Sequence, residues 1–392
     1  MRLGNCYVVL CLFSFLMLTG CEAAGQHKKV QETAGQETIE DAWSIEAPEQ
    51  YQYESDTLTM DFEMSIPTSV SRYKVNAKTI DFSSYAEKLL ANVMPDTEYE
   101  YRESDSFDMD GNDILFKSWS KELPEAYWIQ MQTNGLFLEC VINPYNDMGD
   151  TRMNNALRLY NDDYYSSYPE NIRNNESAFI GKTFDFGSPQ DGIHSLFSSL
   201  EAAGIETNGD LSYVYYGIDA QTAEQEWYAE DPYGNPIDSP DFSDFADRYY
   251  ILARQSYKDL PVLYYTFSPR ILDTSPSTMI HFIFSESGLD SFMIEKMFTF
   301  EKTDELWDGL IDFNRVAETV QANYENILLS SHYRIEKAGL YYYASRKDDS
   351  QEYELIPAWV FQVDEYSASG QYIGTQPCII DAVTGLEMEY KK

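Results

Sequence analysis

The chain has 392 residues, 43% hydrophobic and 15% Tyr, Phe or Trp, which excludes disorder for most of its length and allows two or three domains. Asp and Glu total 66 against 27 Lys and Arg, a net charge of −39. A surface this acidic repels nucleic acid and anionic lipid head groups, whose recognition needs a positive footprint. Solubility and a cation-rich setting account for the charge without a dedicated acidic site.

Met1 to Asn5 form a short basic start, followed by an apolar run from Tyr7 to Leu18. The run is shorter than the roughly 20 residues of a membrane-spanning helix. A basic start, a short apolar stretch and small closing residues read as an export signal over residues 1–20. The closing Leu18-Thr19-Gly20-Cys21 resembles a bacterial lipobox, which implies cleavage before Cys21 and attachment of diacylglycerol to its sulfur. The expectation is a protein on the outer face of the cell membrane, held to membrane lipid through acylated Cys21. Each buried CH₂ contributes about 0.8 kcal/mol, so two or three chains hold where one is marginal. An uncleaved anchor, or secretion with a chance cysteine, is the competing reading. The remainder of segment 21–50, rich in Gln, Glu, Ala and Gly, is expected to be a flexible spacer.

From Tyr51 the pattern is α+β. Leu58–Ile66 alternates as a half-buried strand. Asp81 to Ser84 caps a helix running to about Val93, with Tyr85, Leu89 and Val93 at helical spacing and Pro95 ending it. Strands are expected near Tyr99–Ser104, Asp113–Ser120, Ala126–Thr133 and Leu136–Asn143, with turns at Asp110-Gly111 and Asn134-Gly135. A short helix is placed around Asn154–Tyr160 within a polar loop from Asp147 to Asn175. These elements make a first unit, residues 51–185.

Ser188-Pro189 opens the next helix, which carries Ile193, Leu196, Phe197 and Leu200 and stops at Gly204. Strands follow over Leu211–Asp219, Arg248–Tyr257, Val262–Ser268, Met279–Ser285 and Ser291–Phe300, interrupted by an acidic exposed loop, Asp231–Asp247. This second unit spans 186–302. A third, 303–392, starts with a helix from about Asp304 to Leu328. Strands Tyr333–Arg346, Glu354–Tyr366, Gln376–Asp381 and Leu386–Tyr390 complete it. The expected fold is helices packed on twisted antiparallel sheets, in two to three units.

Two stretches carry a family resemblance. Tyr249–Arg254 leading to Leu260-Pro261-Val262, then Ile280–Phe284 and Ser287-Gly288-Leu289, resembles the strand and hairpin arrangement of PepSY domains, with Asp259-Leu260 where a glycine is usual. Pro357-Ala-Trp359-Val-Phe361 and Asp381-Ala-Val-Thr384-Gly385 resemble the ending shared by PepSY-like domains and the extracytoplasmic regulators YycH and YycI. The layout is also similar to a family of uncharacterised Firmicutes lipoproteins, a domain of unknown function. The resemblance implies regulation or inhibition through protein contact and implies no catalytic residue. Read from the residues alone, Trp359 and Phe361 share one strand face and anchor a core. Asp381 to Gly385 is a hairpin turn.

Motifs for chemistry are weak. Asp108-Met-Asp110-Gly111-Asn112-Asp113 aligns with a calcium loop that begins at Ser106 but puts Lys117 where a bidentate Glu belongs, so a turn is the better account. Asp231, Asp238, Asp241 and Asp244 lie in a loop whose Pro and Ser spacing suggests exposure. The four histidines, His27, His194, His281 and His332, have no metal or catalytic spacing. No nucleophile elbow or glycine-rich phosphate loop occurs. Outside the signal and Cys21, Cys140 and Cys378 are left, and either a disulfide or two buried thiols fits them. Tyr164-Tyr165, Tyr215-Tyr216, Tyr264-Tyr265 and Tyr341–Tyr343 suggest stacking on sugars, but adjacent strand residues face opposite ways. The expectation is a protein without catalysis or cofactor that contacts a membrane or cell-wall protein, with solute or glycan binding as the rival.

Overall fold

The computed structural model describes residues 42–388 apart from 65, 68, 96–97, 108–112, 125–126, 147–149, 158–174, 230–234, 264–277, 326, 328–330 and 348–351. The signal, Leu18, Thr19, Gly20, Cys21, most of the spacer and the Asp108–Asn112 turn therefore lie outside the described residues.

The first strands are β1 (Ala42–Ser44), β2 (Gln50–Glu54), β3 (Leu58–Glu63), β4 (Ser69–Ser71) and β5 (Tyr73–Thr79). Asp81 then caps a short turn by accepting the Ser83 N–H at 3.0 Å, and α1 runs over Ala86–Val93. Four antiparallel strands follow: β6 (Glu100–Phe107), β7 (Asp113–Glu122), β8 (Trp128–Thr133) and β9 (Leu138–Val141). Next come α2 (Thr151–Ala156), α3 (Pro189–Ala202), β10 (Asp210–Ile218) and α4 (Ala220–Glu226), of which α4 had no counterpart in the sequence reading. The chain continues through β11 (Arg248–Tyr257), β12 (Leu260–Pro261), β13 (Ile280–Ser285), β14 (Gly288–Ile294) and β15 (Phe298–Leu306). It ends with α5 (Phe313–Glu325), β16 (His332–Arg346), β17 (Glu352–Tyr366) and β18 (Tyr372–Asp381).

The class is mixed α+β with mainly antiparallel sheets, as expected. The strands are not grouped as three consecutive units, however. A seven-stranded sheet runs β15-β5-β17-β16-β3-β2, with β18 also on β17. It mixes the first strands with the last, and β3 lies parallel to β16 with Leu58 opposite Tyr333. A nine-stranded sheet runs β10-β11-β13-β14-β9-β8-β7-β6, with β12 on β11. A boundary near residue 185 would cut it between β9 and β14, which pair from Val141 to Leu138. Such pairing across more than a hundred residues has no local sequence signature.

Each sheet buries its own core. On the seven-stranded sheet, α5 presents Phe313, Val316, Ala317, Val320 and Tyr324, an i, i+3, i+4, i+7, i+11 stripe. Phe313 meets Trp359 edge-on at 4.9 Å between centroids, and Trp359 and Phe361 are both buried here. The expected helix from Asp304 is corrected: residues 304–306 belong to β15, where Leu306 pairs with Tyr73. Gly309 has φ +149, outside helical space, and Asp312 accepts the Asn314 N–H at 2.8 Å to start α5. The expected single strand Ser291–Phe300 is likewise two strands, one in each sheet. At the C-terminus Asp381 Oδ1 accepts the N–H groups of Val383 and Thr384 at 2.7 and 3.1 Å, and Gly385 has φ +75. That is the hairpin turn read from the sequence.

One face of the nine-stranded sheet is covered by α1 and α3, through Leu89, Ile193, Leu196 and Leu200. Ser188 and Asp191 form a capping box at the start of α3. The opposite face is covered over β10, β11 and β13 by Met153 and Ala156 of α2, Ala223 of α4, Phe242 and Phe245. Part of the loop expected to be exposed is thus pinned by its two phenylalanines, while Asp238, Asp241 and Asp244 stay at the surface.

The two sheets meet at β15. Gln255 of β11 donates to the Phe298 carbonyl at 2.8 Å and accepts the Phe298 N–H at 2.7 Å. Asn208 does the same for Phe300, at 2.7 Å in both directions. Two side-chain amides therefore stand in for a neighbouring strand. Gln255 is buried, and losing it strands two polar groups at about 1–3 kcal/mol each. Gln255→Leu is expected to destabilise the chain by roughly 2–6 kcal/mol. In chemical denaturation, the Asn208→Leu/Gln255→Leu pair should depart from additivity, because both bind one strand.

Candidate functional site

Two places stand out among the described residues. The first is the end of the nine-stranded sheet made by β6, β7 and β8. Its cross-strand row Tyr101, Trp119, Met131, Cys140, Phe292 passes from 48% exposed at Tyr101 to 0% at Met131, Cys140 and Phe292. The helices that cover the far end of this face therefore leave its β6 margin open. Of the ten large hydrophobic residues that are exposed among the described residues, five lie in this region: Tyr101, Leu115, Tyr127, Trp128 and Tyr145. Tyr101 packs on Trp119 at 5.2 Å, and Tyr127 on Tyr145 at 4.6 Å with planes 47° apart. The other face of this wing carries exposed Trp128 together with Ser118, Ser120, Gln130, Gln132 and Glu139, none of them fully buried.

The second place is a buried polar cluster beneath α2. Arg248 has no exposed side-chain surface, stacks on Phe245 at 4.0 Å and pairs with Asp150 at 3.3 Å. Burial lowers its pKa, with Asp150 and Asp290 opposing that shift. Asp290 sits at a bulge of β14, where its Oδ1 accepts from Asn143 Nδ2 and Ser287 Oγ, each at 2.9 Å. Arg248 Nη2, Asp290 Oδ2 and Ser291 Oγ make no hydrogen bond. Farther along β13, four residues from the Ser285 that pairs with Arg248, His281 is 1% exposed and shares a 3.0 Å hydrogen bond with the Tyr250 hydroxyl.

The residues singled out in the sequence do not converge. His281 is in the nine-stranded sheet, His332 is in the seven-stranded sheet beside Thr59 Oγ1 at 3.1 Å, and His194 is exposed on α3 beside Gln190 at 3.3 Å. Asp241 is engaged by Ser243 and Asp244 by Arg152. Among the described residues no three His, Cys, Asp or Glu side chains are grouped to hold a metal. Cys140 and Cys378 are buried free thiols in separate cores, so the disulfide alternative is not realised. Burial pushes the Cys378 thiol up to about 12, which keeps it protonated and unreactive. The tyrosine runs split as strand geometry requires: Tyr215 lies on the α3 face, and Tyr216 on the α2 face. Tyr342 enters the core while Tyr341 and Tyr343 face the other way. Tyr164, Tyr165, Tyr264, Tyr265 and Asp231 lie outside the described residues. The wing, the amide pair on β15 and the Arg248 cluster were not anticipated. A hint lay in Tyr101, Trp119, Tyr127 and Trp128 recurring among charged residues.

No family model matches the chain, and no curated protein matches it. Among solved structures it is similar to an uncharacterised protein from Eubacterium rectale ATCC 33656, at 14% identity and a TM-score of 0.55, covering 88% of this chain and 94% of that one. That likeness shows a shared fold. The C-terminal domain of Bacillus megaterium YpeB aligns at 10% identity over 80% of this chain and 97% of that one, with a TM-score of 0.26.

One buried and one half-buried group give opposite pH signatures. Burial lowers the His281 pKa from 6.5 to about 3. Between those values the unfolded chain binds a proton that the folded chain does not, so stability falls as pH drops below about 6.5. Glu295, between β14 and β15, is raised by burial from 4.5 to about 7. There the folded chain holds the extra proton, so stability falls as pH rises from about 4.5 to 7. Thermal unfolding against pH is expected to lose the acid-side slope in His281→Leu and the neutral-side slope in Glu295→Gln. Unchanged slopes would contradict the assignment.

Proposed function

We propose that this chain is a lipid-anchored extracytoplasmic protein without catalytic activity. It acts, as a regulator or inhibitor-like module, by contacting another protein at the outer face of the cell membrane. The finer relationship to PepSY-like and YycI-like domains is part of the same proposal and is motivated by the Pro357–Phe361 and Asp381–Gly385 stretches.

The observation that carries it is the β6–β8 wing. Exposed aromatic side chains gathered at one sheet margin are a feature of protein contact surfaces. A sugar platform is less well served, because the Tyr127 and Tyr145 rings are tilted by 47° and offer no common plane. Cys21, carrying lipid after a spacer, would hold this wing near membrane-resident partners.

The test is photocrosslinking in cells with the reactive side chain placed at Tyr127, on the native anchor and on Cys21→Ala. The expected result is one membrane or cell-wall protein captured by the anchored form and depleted in the Cys21→Ala form. Equal recovery from both forms with no specific partner would refute the contact reading and favour solute or glycan binding.

A further inference from the structure

We infer that the free edge of β6 accepts an extended, lysine- or arginine-bearing segment of the partner as an added strand. The inference rests on the contact reading above and states the chemistry of what is contacted.

Among the described residues β6 has one neighbour, β7, and ends the nine-stranded sheet. Its pairing is continuous from Glu100 opposite Ser120 to Phe107 opposite Asp113, with no bulge and no proline. In an antiparallel pair every second residue points its N–H and C=O away from the neighbour, so β6 offers a row of backbone donors and acceptors. Proteins usually blunt such an edge with a bulge, a proline, a cover or charge. Here charge is the device present. Arg102 is held by Glu100 at 2.8 Å on one face. Tyr101, Glu103 and Asp105 share the other, where the Tyr101 hydroxyl donates to Glu103. Lys117 of β7 lies opposite Glu103, and along β6 itself three acids, Glu100, Glu103 and Asp105, outnumber Arg102 beside the exposed Tyr101 ring. A second copy of this chain would bring the same acids into opposition, which disfavours self-pairing. A strand with Lys or Arg at alternate positions reverses that sign, and its cationic side chains can also lie on the Tyr101 ring. The addition of a strand with main-chain hydrogen bonds and alternate side-chain contacts is a known mode of peptide capture.

The probe is a labelled peptide of about ten residues alternating Lys and Thr, with an alternating Glu and Thr peptide as control. Binding to the full chain is read by anisotropy, and amide hydrogen exchange is followed over residues 100–107. Because the whole chain is acidic, Glu103→Lys/Asp105→Lys is compared with Glu201→Lys/Glu224→Lys, an equal change of charge at exposed helix positions. The inference expects the lysine peptide to bind and to slow exchange in β6. It also expects at least about a tenfold loss in the β6 variant, and the helix variant within about twofold of the native chain. It is overturned if the lysine peptide fails to bind or the glutamate peptide binds equally. Unchanged β6 exchange, or equal losses in the two variants, overturns it as well. Failure here with the Tyr127 crosslink retained removes the cationic-strand inference alone. Loss of that crosslink removes the contact reading.

Discussion

The arrangement of the two sheets depends on four hydrogen bonds, two from Gln255 and two from Asn208, along the outer edge of β15. Without them the N–H and C=O of Phe298 and Phe300 would face a neighbouring core with no partner, a cost that buried backbone rarely bears. A primary amide supplies one acceptor and donors in a single plane, so one side chain can satisfy both groups of one residue. Two such side chains seal the edge without adding a strand. The seven-stranded sheet is thereby docked on the nine-stranded one. The connection after β12 strengthens the junction, as Val262 bridges Tyr342 and Leu263 donates to its carbonyl at 2.8 Å.

Once β15 is sealed, the covering elements are concentrated at one end of the nine-stranded sheet. The α3 helix lies on β13 and β14, and α2, α4 and the Phe242–Phe245 turn lie behind β10, β11 and β13. The buried Arg248, Asp150, Asp290 and His281 belong to that covered end. Arg248 keeps its charge there by pairing with Asp150 and lying on Phe245, although one of its nitrogens stays without a hydrogen bond. Among the described residues the cover thins from β8, where Met131 is fully buried, to β6, where Tyr101 is exposed. The contrast between one edge closed by amides and another guarded by charge links the architecture to the contact reading.

What could be read in the sequence was local. Arg248–Tyr257 was placed to the residue because an unbroken strand pattern is bounded by a polar turn on each side. Ser188-Pro189 fixed the start of α3 because a cap and a proline act within one turn. Asp381 to Gly385 was readable because an Asx turn and a positive φ are properties of five adjacent residues. Errors arose where distant pairing decided the outcome. Leu306, Leu310 and Phe313 fall at helical spacing, yet Leu306 is drawn into β15 by Tyr73 and Gly309 interrupts the run. The interleaving of β2, β3 and β5 with β16 to β18 is set by the joint burial of Leu58, Met60 and Val75 with Ile335, Leu355 and Phe361. No window of neighbouring residues contains that information. The wing was hidden for the same reason, since a strand becomes an edge only through what fails to pair with it.

Residue-resolved hydrogen exchange of the full chain tests this account most directly, because it reads the sealed and the open edge in one experiment. The account predicts that the amides of Phe298 and Phe300 exchange as slowly as the central strands β11 and β13. Alternate amides of β6 should exchange orders of magnitude faster, near the rate of exposed backbone. Rapid exchange at Phe298 and Phe300, or uniform protection along Glu100–Phe107, would contradict it.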